Sequence, residues 1–172
     1  LLLEGVSIPA INQLRYAGRH ILNALTDSSS DNIQNSFHEA KDHCKRAIFD
    51  AIEAGVLFLL AKISEFQYDY RYVSISQVVP DYVDCMVKVT EIRDKFARLS
   101  RTNSCEIEWV EIDINELQEY YNTVEGIMNR LNFASDELNK IVKKEELKKI
   151  YTYLGIIIPL AAIVVTIILK FL

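Results

Sequence analysis

The sequence has few of the residues on which most enzymatic motifs depend. Its 172 residues include 5 glycines, 3 prolines, 3 cysteines and 3 histidines. They form no Gly-rich phosphate-binding loop, no metal-ligand spacing and no nucleophile elbow. We therefore expect a protein that is not an enzyme, with no catalytic residue, no bound metal and no cofactor.

Cysteine usage points to a reducing compartment. Cys44, Cys85 and Cys105 are odd in number and too widely spaced for a metal site. Such cysteines are typical of reduced thiols in a cytoplasmic domain. The sequence also has no internal repeat, no low-complexity tract and no long linker rich in Gly or Pro. We therefore expect one helical domain before the C-terminal segment.

Apolar residues at helical spacing dominate the first part of the chain. Ser7 and Pro9 predict the start of a first helix, and residues 26–30 predict a polar loop after it. Asp31, followed by Gln34, resembles a capping box. This motif predicts the start of a long second helix.

The middle of the chain is less regular. Residues 66–79 fit either a continued helix or a packed loop, and Pro80 predicts the start of another helix. Residues 101–113 alternate enough to predict a short extended segment. From Asn115 a helical pattern continues toward the C-terminus.

The C-terminal part carries the longest apolar run. Residues 151–169 read YTYLGIIIPLAAIVVTIIL, without Asp, Glu, Lys, Arg or His. As a helix this run covers about 28 Å, close to the thickness of the hydrocarbon core of a bilayer. Five lysines in residues 140–149, against Lys170 alone after the run, place the preceding domain in the cytoplasm. We therefore predict a single-pass protein of the inner membrane, in contact with membrane lipids.

A heptad pattern precedes this run. Eight uncharged residues occupy successive a and d positions: Leu117, Tyr120, Val124, Ile127, Leu131, Ala134, Leu138 and Ile141. An oligomeric coiled coil and the inward face of an intramolecular bundle both produce this pattern, so both interpretations stay open.

The same heptad frame continues into the apolar run. Five small or weakly polar residues lie in it: Thr152, Gly155, Pro159, Ala162 and Thr166. Small residues allow close helix packing in lipid, so this face predicts a helix contact or a pore lining. Glu145 and Lys148 would then form charged rings at the pore mouth, with a solvated turn as the alternative.

A second candidate site lies in the first two helices. If these form an antiparallel hairpin, residues whose numbers sum to about 58 lie side by side, so Arg15 approaches Asp42 and Arg19 approaches His38. The cationic candidates are Arg15, Arg19, His38, Lys41 and Lys45. They predict either interhelical ion pairs or a site for the phosphate of a nucleotide or oligonucleotide.

Two other functional classes share parts of this pattern. Arg15 and His20 match the Arg-x4-His pattern of HEPN-type ribonucleases, although eight arginines and three histidines produce such a match readily by chance. Tail-anchored SNARE-like or Bcl-2-like proteins also place helices before a C-terminal span. The heptads here lack a central Gln or Arg layer, and Gly18-Arg19 lacks the context of a Bcl-2 groove motif.

The layout resembles the transmembrane effectors of bacterial anti-phage systems, and Hailong-type effectors in particular. Residues 11–25, INQLRYAGRHILNAL, and residues 40–51, AKDHCKRAIFDA, are similar to helical hairpins of small bacterial defence proteins. The resemblance implies an oligomeric channel that opens when a nucleotide-derived second messenger binds. It also implies a partner nucleotidyltransferase that makes this messenger.

These observations predict an all-α protein in three parts: a cytosolic helical bundle in residues 1–113, a stalk helix with a basic collar in 114–149, and a transmembrane helix in 150–172. The predicted function is a homo-oligomeric, ligand-triggered pore in the inner membrane. The alternatives are a membrane-tethered HEPN-like ribonuclease and a tail-anchored interaction protein of the SNARE or Bcl-2 type.

Overall fold

The fold is a series of α-helices of very unequal length. The computed structural model describes the backbone of residues 2–101 and 113–171 and the side chains of residues 8–99 and 113–160. The elements in chain order are α1 (Leu2–Thr26), α2 (Ser30–Asp69), a short 3₁₀ helix (Ile75–Gln77), α3 (Tyr82–Arg101) and α4 (Ile114–Phe171). The all-α part of the predicted fold is confirmed.

The main core lies between the second half of α2, α3 and the first half of α4. Gly55 lies against Tyr121, and the hydroxyl of Tyr70 donates to Oδ1 of Asn139 at 3.0 Å, so α2 and α4 run in the same direction. Phe49 of α2 stacks on Phe96 near the end of α3, whereas Gln67 of α2 donates to the hydroxyl of Tyr82 at the start of α3 at 3.0 Å, so α3 runs antiparallel to α2 and α4. The largest fully buried side chains are Phe96, Ile63, Leu131, Leu138, Val56 and Val124.

The heptad positions of α4 face this core. Six of the eight are buried in it: Leu117, Val124, Ile127, Leu131, Ala134 and Leu138. Tyr120 is partly buried against the same cluster. The intramolecular interpretation of the heptads is therefore the correct one, and α4 begins as a helix of the bundle rather than as a separate stalk.

Two predicted helix starts are corrected. α1 begins at Leu2, so Pro9 lies inside the helix rather than at its first turn. α2 begins at Ser30, with Ser29 in an extended conformation before it, so Asp31 lies in the first turn and is not the cap. The loop is organised by Asp27, whose carboxylate accepts hydrogen bonds from the Ser29 N–H at 2.9 Å and from Asn32 Nδ2 at 3.1 Å. The hydrogen bond from Ser29 is the main cause that lowers the pKa of Asp27.

The predicted membrane span is also corrected. Within the described residues, no helix combines the length and the apolar character that crossing a bilayer requires. This finding contradicts the transmembrane helix predicted for residues 150–172, together with the tail anchor, the pore and the inner-membrane location that depended on it. The side chains of residues 161–172 lie outside the described part.

Other predictions concern the connection between α3 and α4. The extended segment predicted for residues 101–113 lies almost wholly outside the described residues, as does Cys105. Of the other cysteines, Cys85 is buried and Cys44 partly buried, and both are free thiols. Burial is the main cause that raises the pKa of Cys85.

The close approach of α2 to α4 at Gly55 can be tested by substitution. A Cβ at this position would lie 2.8 Å from Cε2 of Tyr121, whereas a Cβ at Gly126 meets no atom within 4 Å. Gly126→Ala should raise the free energy of unfolding by up to about 1 kcal/mol because alanine favours helix. We expect Gly55→Ala to show no such gain, since the Tyr121 ring must shift. Chemical denaturation measures the free energy of unfolding of both variants. Equal stabilisation by the two substitutions would contradict this packing.

Candidate functional site

The α1–α2 hairpin is held together by a seam of small residues. Ala17, Ala24, Ala40 and Ala47 are each at most 4% exposed, and they are spaced seven residues apart on each helix. None of the α1 side chains that the structure describes belongs to the main core cluster, so packing against α2 is what holds this helix in place. Alanine at the contact positions lets the two helices approach closely. Larger side chains can then lie only on either flank of the seam.

One flank of the seam is polar. The residues of this flank lie three positions after a seam alanine or four positions before one. They include Gln13 and His20 on α1 and His43 and Asp50 on α2. His43 Nδ1 lies 2.8 Å from Gln13 Oε1, and the His20 and His43 rings stack with centroids 5.2 Å apart and planes 18° apart. These contacts bring the polar flanks of the two helices to the same side of the hairpin. We call this side the histidine face.

The other flank is apolar on both helices. The residues of this second flank lie three positions before a seam alanine or four positions after one. They include Leu14 and Ile21 on α1 and Phe37 and Cys44 on α2. Because the polar flanks coincide on one side, the apolar flanks coincide on the opposite side. Six large side chains there are 41% to 71% exposed: Ile11, Leu14, Ile21, Leu25, Phe37 and Ile48. We call these six residues the apolar face.

Gly18 adds to the openness of this side. It lies one helical turn from Leu14 and from Leu22 on α1, and an added Cβ there would meet no atom within 4 Å. The apolar face is therefore accessible along the length of the hairpin in this chain.

Charged groups surround the histidine pair. Nδ1 of His20 lies 2.7 Å from a carboxylate oxygen of Glu39, which links α1 to α2. Burial, followed by the charges of His20 and Arg46, lowers the pKa of His43, while Glu39 and Asp42 act in the opposite direction. Burial also raises the pKa of Asp50 at the end of this flank.

The predicted antiparallel hairpin is confirmed, but its side-chain pairs differ from those expected. His20 pairs with Glu39 across the hairpin, and His38 pairs with Asp42 along α2 at 3.4 Å. Arg15 and Arg19, which were expected to approach Asp42 and His38, are exposed instead. Each lies two residues from Ala17, and therefore on the side of α1 opposite the seam.

The five residues of the predicted anion site do not converge. His38 and Lys45 lie two residues before Ala40 and Ala47, so they occupy the outer side of α2, while Arg15 and Arg19 occupy the outer side of α1. Lys41 is exposed on α2. Arg15 and His20 are likewise separated around α1, because His20 turns toward α2 and Arg15 turns away from it. The arrangement offers no shared cleft for the ribonuclease-type pair within the described part of one chain.

The predicted pore residues lie along α4 beyond the bundle. Thr152, Gly155 and Pro159 are exposed, whereas Ala162 and Thr166 lie outside the described side chains. Lys148 donates to a Glu145 carboxylate oxygen at 2.6 Å within the same helix. The hydroxyl of Thr152 donates to the Lys148 carbonyl at 2.9 Å.

A charged groove of about 500 Å³ lies between α3 and α4. Lys95 donates to Glu116 at 2.6 Å, and Tyr120 also donates to Glu116. The hydrogen bond to Glu116 is the main cause that raises the pKa of Lys95, and the same bond lowers the pKa of Glu116. Acidic and basic side chains alternate along the rest of this groove, so it has no strong charge of one sign. No group of three His, Cys, Asp or Glu side chains in the described ranges is arranged to hold a metal ion.

Sequence reasoning missed the two faces of the hairpin. The signal was present in the alanines at positions 10, 17 and 24 and at positions 40, 47 and 54. Seven-residue spacing of small residues marks a close helix contact, and the flanking positions then separate into apolar and polar sets. Apolar residues at helical spacing predict both helices, but that spacing alone does not separate the alanines from the larger residues beside them.

The seam can be tested with two identical substitutions on α2. Ala40→Leu places a large side chain where the helices touch, and we expect it to lower the free energy of unfolding of the hairpin by about 1–3 kcal/mol. Ala51→Leu, at an exposed position of the same helix, should change it by less than about 0.5 kcal/mol. Hydrogen exchange of α1 amides measures the difference. Equal protection of α1 in both variants would contradict the seam.

The comparisons with known proteins add no family to this geometry. No family model, no curated protein and no solved structure matches the chain. The resemblance to anti-phage effectors therefore stays an expectation, and the function has to be argued from the residues of the hairpin.

Proposed function

We propose that this chain is a helical assembly protein without catalytic activity, and that two copies join through the apolar faces of their α1–α2 hairpins. The single observation that carries this proposal is the apolar face itself. Six large apolar side chains, all at least 41% exposed, lie together on one side of two helices. Large contiguous apolar patches on a protein surface mark sites of association.

A second copy is the occupant that matches the shape of this surface. In an isolated helical hairpin, each helix needs an apolar stripe only where it contacts the other helix. In a four-helix bundle, each helix needs two apolar stripes, one facing each of its two neighbouring helices. Both α1 and α2 carry such a second stripe beside the alanine seam. Two hairpins packed face to face by a twofold axis would therefore complete a four-helix bundle, with the same patch used on both copies.

The distribution of charge favours the same arrangement. Lys41 borders the apolar face on α2, four residues after Phe37, and its flexible stem lets the ammonium stay in solvent while the apolar side chains are buried. Arg15 and Arg19, which are exposed on the outer side of α1, remain in solvent when the faces join. The cations therefore keep their hydration, while the apolar side chains lose contact with water.

We retain the predicted homo-oligomer but assign its contact to a different surface. Homo-oligomerisation was expected through the heptads of α4, but most of these residues are buried in the core of their own chain. The hairpin supplies an assembly surface that is independent of them. A nucleotide ligand and a partner nucleotidyltransferase are implied only by the resemblance and stay predictions.

Two exposed phenylalanines allow a matched test. Phe37 belongs to the apolar face and is 49% exposed, whereas Phe133 on α4 is 90% exposed and outside it. Phe37→Asp should raise the dimer Kd by at least about a hundredfold, because a symmetric interface loses two buried rings and gains two buried charges. Phe133→Asp should leave the Kd within about threefold of the wild type, since a lone exposed side chain contributes little.

Sedimentation equilibrium of the full chain measures both constants. Circular dichroism of each variant checks that its helices remain formed. A monomeric wild type at high micromolar concentration would overturn the proposal. So would an equal loss of association in both variants, because the surface involved would then not be the apolar face.

A further inference from the structure

All three histidines of the chain, His20, His38 and His43, lie in the α1–α2 hairpin, and two of them stack across its seam. We infer that this pair is a proton-sensitive clasp: when both imidazoles are protonated, α1 separates from α2 and the apolar face is lost. The inference rests on the proposed function, because it concerns the control of the same assembly surface.

His43 is the residue through which α2 holds the polar side of α1. Its ring lies 5.2 Å from the ring of His20 and 5.4 Å from the ring of Tyr16, measured between centroids. Its Nδ1 also lies 2.8 Å from Gln13 Oε1. One side chain of α2 therefore contacts three side chains that span two turns of α1, all on the histidine face.

The groups around the pair can balance one positive charge more easily than two. From α2, the carboxylates of Glu39 and Asp42 and the guanidinium of Arg46 face it, while α1 contributes only the uncharged Gln13 and Tyr16 besides His20. The carboxylate of Glu39, 2.7 Å from Nδ1 of His20, offsets one positive charge at the pair. A second proton on His43 then places two cations in stacked rings, next to the positive charge of Arg46.

The sign of the effect follows from His43. Its pKa is lowered in the folded chain below the ordinary value of 6.5, first by burial and then by His20 and Arg46. The unfolded chain therefore binds more protons than the folded chain as the pH falls through this range. The stability that neutral His43 provides is present above the unfolded pKa and is lost as the pH falls through the folded pKa.

Loss of the clasp removes more than a local contact. Four of the six residues of the apolar face belong to α1: Ile11, Leu14, Ile21 and Leu25. No described side chain of α1 belongs to the main core cluster, so the alanine seam and the histidine pair are the contacts that hold this helix. When α1 leaves α2, the face is divided, and the second copy loses the surface on which it packs.

Sedimentation equilibrium at pH 7.5 and pH 5.5 tests the inference on the full chain. The dimer Kd of the wild type should rise by at least about fivefold at pH 5.5, because protonation of His43 in each of the two copies favours the separated α1. His43→Phe keeps a stacked ring without a titratable nitrogen, so its Kd should change by less than about threefold between the two pH values. His38→Gln is the matched control, because His38 lies off the histidine face and pairs only along α2, and it should retain the wild-type change.

Hydrogen exchange of the wild-type chain provides a readout that needs no variant and no dimer. After correction for the intrinsic pH dependence of exchange, α1 amides should exchange at least about tenfold faster at pH 5.5 than at pH 7.5, while core amides of α2 and α4 keep their protection. Unchanged protection of α1 would overturn the clasp. A dimer with the same Kd at both pH values would also overturn it while leaving the proposed function intact. A chain that is monomeric at both pH values overturns the proposed function, and exchange in α1 then decides the clasp separately.

Discussion

The close packing of α1 on α2 through alanine is the contact on which the functional features of this protein depend. Ala17 and Ala40 bring the two helices so near that larger residues can lie only beside the seam. The flanking positions then become two distinct surfaces, one apolar and one polar. Without so small a seam, Leu14 and Phe37 would be the natural interhelical contacts, and the hairpin would bury the side chains that it now exposes.

α2 connects this hairpin to the rest of the molecule. It spans 40 residues and packs against different neighbours along its length. Ala40 and Ala47 contact α1, whereas Val56 and Ile63 lie in the core with α3 and α4. A single helix thus rigidly joins a stable bundle to a marginal two-helix unit. Because an isolated pair of helices buries little surface, the hairpin is the part of the fold whose packing a partner or a proton can change.

Several elements could be predicted from the sequence because their signals are local. The antiparallel hairpin follows from two helical patterns joined by a short polar loop, and His20 and Glu39 meet close to the expected register. The inward positions of α3 were also predictable, since Val89 and Phe96 recur at helical spacing and are buried. The start of α2 was misplaced because Asp27, rather than Asp31, organises the loop through its hydrogen bonds. The membrane span was inferred from length and missing charge alone, and the described part of α4 does not support it.

What the sequence by itself determined is the set of faces that each helix carries, because periodicity depends only on the rise and turn of the helix. Which neighbour covers each face was decided by the tertiary structure. The heptads of α4 pack into the core of the same chain, because α2 runs parallel beside them and competes with any second copy. Arg15 and Lys45 diverge, since the alanines turn them to opposite outer sides of the hairpin. His20 and His43 meet for the same reason, as they lie on the flank that the antiparallel arrangement brings together.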